Sequence, residues 1–345
     1  MGDSANNVWD LAIVGGGPTG LACAIEAQKA GLRAVVLEKG CVVNSIYNYP
    51  TQMVFFTTPE LLEIGQVPMT TAGAKPTRME ALEYYRKVAA HYRLNLHAYE
   101  IVDAVEAGAR GGSRFRLRTT RRTGEGAEHW AENVVLATGY YDLYNHLKIP
   151  GEERANVLHY YKEAHPYTGL KVAVIGGKNS AVDAALDLYR HGAHVTLIHR
   201  HPELSPSIKY WVRPDIENRL KAGQIAARMD HEVLEIFPSA VKIRRRGAQE
   251  TELLEADFVF ALVGYHPDYE FLRAAGVNFE PKTGRPVCDP VCYETETPGL
   301  YLGGVVIAGP NTGEIFIENG RFHGQVIVAD ILQKRAAVAL AGAPA

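Results

Sequence analysis

The chain has 345 residues, enough for two domains of ordinary size, each with its own hydrophobic core. Hydrophobic residues make up 47% of the sequence and charged residues 22%, and the formal net charge is -3. This near-neutral charge excludes the basic excess typical of nucleic-acid-binding proteins. No apolar run is long enough to span a bilayer and the N-terminus lacks the pattern of a signal peptide, so we expect a cytoplasmic protein that binds neither nucleic acid nor membrane.

The four cysteines contain no C-x-x-C pair and are too few for a disulfide scaffold, which suits a reducing compartment. Cys23 is expected to pack as a small apolar residue. Cys288 and Cys292 enclose a proline loop with poor spacing for zinc and no nearby histidine pair, so we predict no metal site. A redox role for Cys41 would need an exposed thiol with a lowered pKa.

Residues 8–38 read as a strand, a glycine turn, a helix and a second strand. The pattern G-x-G-x-x-G lies in this turn, where backbone amides can approach a pyrophosphate at the positive end of the helix. Glu38 ends the second strand, where an acid accepts hydrogen bonds from ribose hydroxyls. Glycine turns also arise for packing alone, but the full context favours a dinucleotide. The candidate contacts are Gly15, Gly17, Pro18, Thr19, Gly20 and Glu38.

The loop at residues 39–50 is rich in Asn and Tyr and is predicted to lie over the bound ligand. Its candidate contacts are Lys39, Asn44, Tyr47 and Tyr49. The tyrosines could stack on a ligand ring, although buried tyrosines commonly serve packing.

Residues 77–92 predict an amphipathic helix, with Glu80 on its solvated face. Its predicted apolar face carries Met79, Leu82, Tyr85, Val88 and Ala89. Alternating segments at 94–105, 114–122 and 129–136 predict strands, with a hairpin around residues 124–126. The last of these strands ends at a turn that makes Thr138 and Gly139 further candidate contacts.

The second half of the chain repeats the first pattern, with a strand at 171–175, a turn at 176–181, a helix to residue 190 and a strand at 194–198. Lys178 replaces the central glycine, which weakens the motif, whereas Ala181 is a usual substitute for the last glycine. The candidate contacts with a second nucleotide are Gly176, Lys178, Asn179, Ser180 and Ala181.

His199 and Arg200 stand where an NAD-binding unit would carry an acid. A carboxylate there would repel a 2′-phosphate, whereas arginine can form a paired, charge-assisted contact with it. The sequence therefore favours NADP, with His201 and Lys209 as further candidate contacts, and the alternative is an exposed basic turn. Further on, residues 299–304 predict a buried strand to a glycine turn, 314–332 a closing helix and 335–345 a frayed end.

The sequence, with its two glycine turns in this order, resembles the thioredoxin-reductase-like flavoproteins over essentially the whole chain. Within that group the chain is most similar to the bacillithiol disulfide reductase family. The strings that carry the resemblance are VVNSIYNYP (42–50), FFTTPELLEIG (55–65), GGKNSA (176–181) and IFIENGRFHG (315–324).

The resemblance implies an α/β fold with two Rossmann-like dinucleotide-binding domains. Residues 1–143 and 266–345 would bind FAD, with contacts that include Gly304 and Ile317, and residues 144–265 would bind NADPH. It also implies a homodimer.

Three departures from the resemblance matter. Residues 156–169, where the thioredoxin-reductase C-x-x-C would sit, contain no cysteine. Thr19 stands where many bacillithiol disulfide reductases have a cysteine, so a mechanism through that thiol cannot be transferred. Val305 replaces the acid that usually binds the flavin ribityl chain, which leaves backbone amides and other polar groups to hold FAD there.

Two redox nucleotides in one chain imply hydride transfer from NADPH to FAD. The leading function is reduction of a low-molecular-weight disulfide such as bacillithiol disulfide. One alternative is a ferredoxin- or flavodoxin-NADP reductase that passes electrons to a small carrier protein, and a second is a non-catalytic flavin and NADPH sensor.

Overall fold

The computed structural model describes residues 8–108, 114–311 and 313–341. The chain divides into two compact units. The first contains residues up to 48, Met53–Leu143 and the residues from 266 onward; the second contains Tyr144–Tyr265 together with Tyr49–Gln52.

The regular elements follow in chain order. The strands are β1 (Val8–Val14), β2 (Ala34–Glu38), β3 (Leu96–Ala98), β4 (Glu100–Ala107), β5 (Phe115–Arg121), β6 (Gly126–Leu136), β7 (Leu143–Tyr144), β8 (Val157–Leu158), β9 (Lys171–Ile175), β10 (His194–His199), β11 (Ala226–Met229), β12 (His231–Ile236), β13 (Ala240–Arg245), β14 (Thr251–Glu255), β15 (Phe258–Ala261), β16 (Tyr265–His266) and β17 (Leu300–Leu302). The α-helices are α1 (Pro18–Lys29), α2 (Asn44–Tyr47), α3 (Pro59–Leu62), α4 (Arg78–His91), α5 (Asn179–Arg190), α6 (Arg213–Lys221), α7 (Tyr269–Ala274), α8 (Ile317–Gly320) and α9 (His323–Ala341), and 3₁₀ helices cover His165–Tyr167 and Gly304–Ala308.

The first unit is built on a seven-stranded sheet of order β3-β2-β1-β6-β5-β4, in which β17 also pairs with β6. Strands β3, β2, β1, β6 and β17 pair in parallel, whereas β4, β5 and the first half of β6 pair antiparallel. Helices α1 and α9 pack against each other so closely that a Cβ added at Gly324 would lie 2.7 Å from Cys23 Cα. Cys23 is fully buried, which confirms its predicted apolar packing.

The second unit contains a five-stranded parallel sheet of order β11-β10-β9-β15-β8 and a separate antiparallel sheet of order β12-β13-β14. Helix α5 connects β9 to β10, and its buried residues pack against Val174 and Leu197 of these strands. Both predicted strand-turn-helix-strand units are therefore confirmed, at β1-α1-β2 and at β9-α5-β10.

The predicted closing helix is wrong at both ends. It begins at Ile317 and is interrupted after Gly320, so that α8 and α9 are separate helices, and the Asn319 side chain accepts from Phe316 N and donates to Glu314 O at the start of α8. Helix α9 then continues to Ala341, so residues 335–341 are helical and not a frayed end, while 342–345 lie outside the described residues. No helix in the described ranges combines the length and the apolar character needed to cross a membrane.

The predicted apolar face of α4 is also partly wrong. Met79 is 62% exposed, whereas Arg78 is buried and donates hydrogen bonds to Ile46 O and Tyr47 O. Glu80 belongs to a capping box with Thr77 rather than to a merely solvated face. Arg78 thus takes an inward position that helical periodicity assigns to an apolar residue.

The predicted strand at 94–105 is interrupted at Tyr99, whose φ of 59° is left-handed. The interruption separates β3 from β4 and brings His97 close to Glu100. Burial of the Glu100 carboxyl would raise its pKa, but hydrogen bonds involving Thr119, His129 and His97 outweigh burial and lower the pKa to about 2. This carboxylate is therefore charged at neutral pH.

Candidate cofactor sites

The three motif glycines of the first turn have different local surroundings. A Cβ added at Gly20 would lie 1.9 Å from Gly15 O, and one added at Gly15 would lie 2.5 Å from Ala137 O. A Cβ added at Gly17 would meet nothing within 4 Å, and Gly17 is the N-cap of α1. Gly15 and Gly20 thus let the chain pass closely through the turn. Gly17 leaves open space beside the backbone amides at the start of α1, whose first residues are Pro18 and Thr19.

Glu38 is buried at the end of β2, where its Oε2 accepts from Gly16 N at 2.6 Å and its Oε1 from Gly40 N at 2.7 Å. Burial raises the pKa of this carboxyl, and the two backbone hydrogen bonds oppose that rise. Each oxygen still has acceptor capacity, so the arrangement fits a pair of ribose hydroxyls. The predicted contact Lys39 is less available to a ligand than Glu38, because Lys39 Nζ lies 2.9 Å from Asp142 Oδ2 in an ion pair.

The predicted ligand loop contains the short helix α2, which Asn44 begins and Tyr47 ends. Asn44 Oδ1 lies 3.7 Å from Cys41 Sγ, and the Tyr47 side chain is 53% exposed. Arg78 binds the last carbonyls of α2 and places its guanidinium 5.4 Å from the Tyr47 ring centroid. Tyr49, in contrast, lies in the segment Tyr49–Gln52, which is part of the second unit.

The turn after β6 offers a further fit to a cofactor. Thr138 Oγ1 is buried and has no hydrogen-bond partner in the described part of the chain. The neighbouring Gly139 has φ of 72°, and a Cβ added there would meet nothing within 4 Å. A buried hydroxyl without a partner is costly, so a ligand that satisfies it fits this turn.

The C-terminal part of the first unit surrounds Thr19 with glycines. A Cβ added at Gly304 would lie 2.9 Å from Thr19 Oγ1, and one added at Gly320 would lie 3.1 Å from the same atom. Gly304 N donates to His323 Nδ1 at 3.0 Å, and burial lowers the pKa of His323 to about 4. His323 is thus a neutral acceptor for the Gly304 amide, and the predicted contact Ile317 begins α8.

The second glycine turn packs tightly. A Cβ added at Gly176 would lie 2.5 Å from Leu262 O and 2.7 Å from Ala181 Cβ, which explains why a residue no larger than alanine suits position 181. A Cβ added at Gly177 would lie 2.4 Å from His199 Nδ1. Burial, with the neighbouring charges of His201 and Arg200, lowers the pKa of His199. Its imidazole ring is therefore neutral at pH 7.

Several candidate side chains of this turn are held by the protein itself. Asn179 donates to Ser207 O and accepts from Lys209 N, which ties the segment after β10 to the start of α5. Lys209 Nζ lies 2.8 Å from Asp183 Oδ2. Lys178 and Ser180 are exposed at the N-terminus of α5, where backbone amides remain the chemistry suited to phosphate.

Arg200 is exposed directly after β10 and forms no ion pair with any residue of the described ranges. Arg246 lies beside it, with Nη1 3.4 Å from Arg200 O. Because Lys209 is neutralised by Asp183, Arg200 is the predicted 2′-phosphate contact whose charge remains unpaired.

None of the four thiols is activated. Burial raises the pKa of Cys23 to about 12 and that of Cys288 to about 11. Burial, with the nearby charge of Glu38, raises the pKa of Cys41, and burial also raises the pKa of Cys292. The lowered pKa that a redox role for Cys41 would need is therefore absent.

Sequence reasoning missed Arg78 and His323. The pattern T-x-x-E at 77–80 marks a capping box and could have located the start of α4. It gives no sign that Arg78 turns inward to the α2 carbonyls. No local pattern links His323 to the Gly304 amide either, because the two residues are far apart in the chain.

Each unit combines a sheet containing parallel strands with a glycine turn at the start of a helix, at α1 and at α5, an arrangement typical of proteins that bind two nucleotides. The family described as pyridine nucleotide-disulphide oxidoreductase matches residues 12–304. The chain is 45% identical to the bacilliredoxin reductase Bdr of Bacillus subtilis (strain 168) over 322 residues, which cover 93% of this chain and 97% of that protein.

Solved structures show similarity to the same group of reductases. A bacillithiol disulfide reductase from Bacillus cereus superposes with a TM-score of 0.91 at 45% identity and covers 94% of this chain and 99% of that chain. A thioredoxin reductase from T. acidophilum superposes with a TM-score of 0.74 at 22% identity, covering 96% and 99%, and shows likeness of fold alone.

The chain therefore belongs to the pyridine nucleotide-disulphide oxidoreductase family and, within it, to the group that includes the bacillithiol disulfide reductases. The predicted α/β, thioredoxin-reductase-like fold with two Rossmann-like domains is confirmed, and the protein is an enzyme, an oxidoreductase that uses FAD and NAD(P)H.

Proposed function

We propose that the protein is an NADPH-dependent FAD reductase of a low-molecular-weight disulfide, with bacillithiol disulfide as the first candidate. The observation that carries the proposal is the 45% identity, over 94% of the chain, to a solved protein that is named a bacillithiol disulfide reductase. The second alternative, a non-catalytic sensor, is not retained, because the chain belongs to an oxidoreductase family.

The first unit would hold FAD. Bound FAD would supply the two-electron redox chemistry that side chains lack. The open amides beside Gly17 suit the pyrophosphate, the Glu38 carboxylate suits a ribose, and Thr138 Oγ1 is a buried hydroxyl that needs a partner. Residues 1–143 and 266–345 are accordingly assigned to FAD binding.

The second unit, residues 144–265, would hold NADPH on the amides at the start of α5. Arg200 would meet the 2′-phosphate, since its guanidinium is exposed and forms no ion pair with the described residues. His199 is the less suitable contact for this phosphate, because its lowered pKa keeps the ring neutral.

Electrons would leave the flavin without a stable protein disulfide. The raised pKa values of the four thiols support this, as does the absence of cysteine from residues 156–169. The same observations favour the remaining alternative, a reductase of a small electron-carrier protein such as ferredoxin or flavodoxin.

One experiment separates the two functions. The FAD-loaded protein would be reduced anaerobically with NADPH and then mixed with bacillithiol disulfide, glutathione disulfide, oxidised bacilliredoxin, ferredoxin and flavodoxin. Fast reoxidation of the flavin by bacillithiol disulfide supports the proposal. Reoxidation only by ferredoxin or flavodoxin assigns the carrier function instead.

We further propose that the enzyme is a cytoplasmic homodimer that takes part in redox homeostasis. The similarity to the bacillithiol group and the thiols without disulfides support this. Sedimentation equilibrium of the FAD-loaded protein tests the assembly: a single monomeric species at micromolar concentration would contradict it.

A further inference from the structure

One cluster of metal-ligating side chains contains none of the residues assigned to the nucleotides, although its strand β3 pairs with β2, which ends at Glu38. His97 on β3, Glu100 on β4 and His129 on β6 each offer a ligand atom, and these atoms all lie within 4.8 Å of one another. Glu100 Oε2 lies 2.9 Å from His97 Nδ1, and Glu100 Oε1 lies 2.7 Å from His129 Nε2. The carboxylate thus stands between two imidazoles.

The chemistry and access of this cluster suit a metal. Two imidazoles and one carboxylate form a common three-residue zinc set, in which water takes the fourth position. The Glu100 and His129 side chains are buried, with 4% and 9% exposed, whereas 32% of the His97 side chain is exposed. The cluster therefore combines two buried ligands with a path from solvent at His97, and an entry path is one requirement of a metal site.

The structure assigns His97, Glu100 and His129 to a binding site for a divalent cation of the zinc type. Ligand atoms around tetrahedral zinc are about 3.3 Å apart when the bonds are about 2.0 to 2.1 Å long. The contacts at 2.7 and 2.9 Å would each need to lengthen by about half an ångström: movement of the partly exposed His97 ring lengthens the second, and a small shift of the Glu100 carboxylate away from His129 lengthens the first. Thr119, which donates to Glu100 Oε1 at 2.6 Å, would continue to orient the carboxylate.

One charge opposes the cation. Arg121 Nε lies 3.7 Å from Glu100 Oε2, but 46% of its side chain is exposed and it also approaches Glu125. The guanidinium can turn toward Glu125 when a metal enters. Arg121 is therefore a competitor for the carboxylate, and its removal would tighten metal binding.

The second cluster of this kind in the described ranges is different. Cys292, Glu294 and Asp330 also bring their ligand atoms together. The Lys334 ammonium already lies 2.5 Å from Glu294 Oε2 and 2.6 Å from Asp330 Oδ2. That cation position is taken by the protein, which leaves the histidine cluster as the site.

Sequence spacing did not reveal the histidine site, and the sequence analysis predicted no metal. Its ligands come from three strands, so they form no short motif. The proposal is independent of the function proposed above, because it concerns neither the flavin nor the disulfide.

Calorimetry with Zn²⁺ tests the site in FAD-loaded protein that has been treated with EDTA. We expect one Zn²⁺ per chain and a rise in melting temperature on binding. His97→Ala should weaken binding at least about 100-fold, more than loss of an outer-shell partner usually does. His91→Ala, an exposed histidine on α4, should leave the affinity unchanged, and Arg121→Gln should raise it several-fold.

Electron paramagnetic resonance of one equivalent of Cu²⁺ gives a second readout, because two imidazole nitrogens split the copper signal. His129→Ala should reduce the splitting to that of one nitrogen; if this buried variant does not fold, His97→Ala answers the same question. Equal Zn²⁺ affinity in wild type and His97→Ala, or no Zn²⁺ binding by wild type, would show a hydrogen-bonded cluster only and overturn the proposal.

Discussion

At the scale of single residues, Gly17 gives the sharpest test of the FAD site. A Cβ added there meets no protein atom within 4 Å, so a larger residue can be accommodated in the fold. We predict that Gly17→Val yields folded but colourless protein, because the side chain fills the space through which the pyrophosphate approaches. The FAD content after purification, measured by absorbance, checks this.

Gly126→Val is the matched control. Gly126 begins β6, where an added Cβ meets only Thr119 O, at 3.9 Å. This variant should remain yellow. Stoichiometric FAD in Gly17→Val would place the cofactor elsewhere.

Arg200 is the residue expected to set the choice between NADPH and NADH. One charge-assisted contact to a phosphate is worth about 1.5 to 3 kcal/mol, or about one to two decades in affinity. Arg200→Ala should raise the Michaelis constant for NADPH by about 10- to 100-fold and change that for NADH little. Steady-state kinetics with both nucleotides provide the measurement.

Arg190→Ala serves as the control for lost positive charge in the same unit. Arg190 is exposed on α5 and paired with Asp215, so its loss should affect both nucleotides slightly and equally. If Arg200→Ala also weakens both nucleotides equally, the 2′-phosphate contact is refuted.

At the scale of elements, the Arg78 side chain joins the start of α4 to the end of α2. Its two hydrogen bonds go to the carbonyls of Ile46 and Tyr47, which lie at the end of α2. Arg78→Met should cost about 1.5 to 3 kcal/mol of local stability and loosen residues 41–48. We expect faster proteolysis in this loop and weaker FAD binding, measured by cleavage mapping and by flavin fluorescence.

Arg86→Met tests whether loss of any arginine from α4 has this effect. Arg86 lies on the exposed face of the same helix. Its replacement should leave both the cleavage rate and the FAD affinity near those of wild type. The same losses in both variants would remove the special role of Arg78.

At the scale of the whole molecule, the prediction concerns how many electrons the protein stores. With no activated thiol, reductive titration should consume about one NADPH per FAD, because an active disulfide would store a second electron pair. A variant with Ser at all four cysteines should bind FAD, be reduced by NADPH and keep most of its acceptor activity.

Cys41→Ser alone is the informative comparison. Consumption of two NADPH per FAD by wild type, together with loss of activity in Cys41→Ser, would show that Cys41 acts as a relay despite its raised pKa. Unchanged stoichiometry in this variant agrees with direct transfer to the acceptor.

Local patterns were sufficient to predict the two nucleotide-binding units, because each strand, turn and helix there is specified by neighbouring residues. The glycine turns, Glu38 and Arg200 all lie where the sequence places them. Roles that depend on distant partners were not predictable. Lys209 is a predicted phosphate contact, but its ammonium pairs with Asp183 in the structure, and no local pattern indicates that Arg78 donates hydrogen bonds to carbonyls of α2.

The division of the first unit between two stretches of chain affects the order in which the protein can fold on the ribosome. Residues 144–265 form most of the second unit as one continuous piece, whereas β17 and α9 complete the first unit only near the end of synthesis. At about 5 to 20 residues per second, α1 waits roughly 15 to 60 seconds for these partners. The part of the protein made first is thus finished last, and its uncovered apolar surface is a binding target for chaperones in that interval.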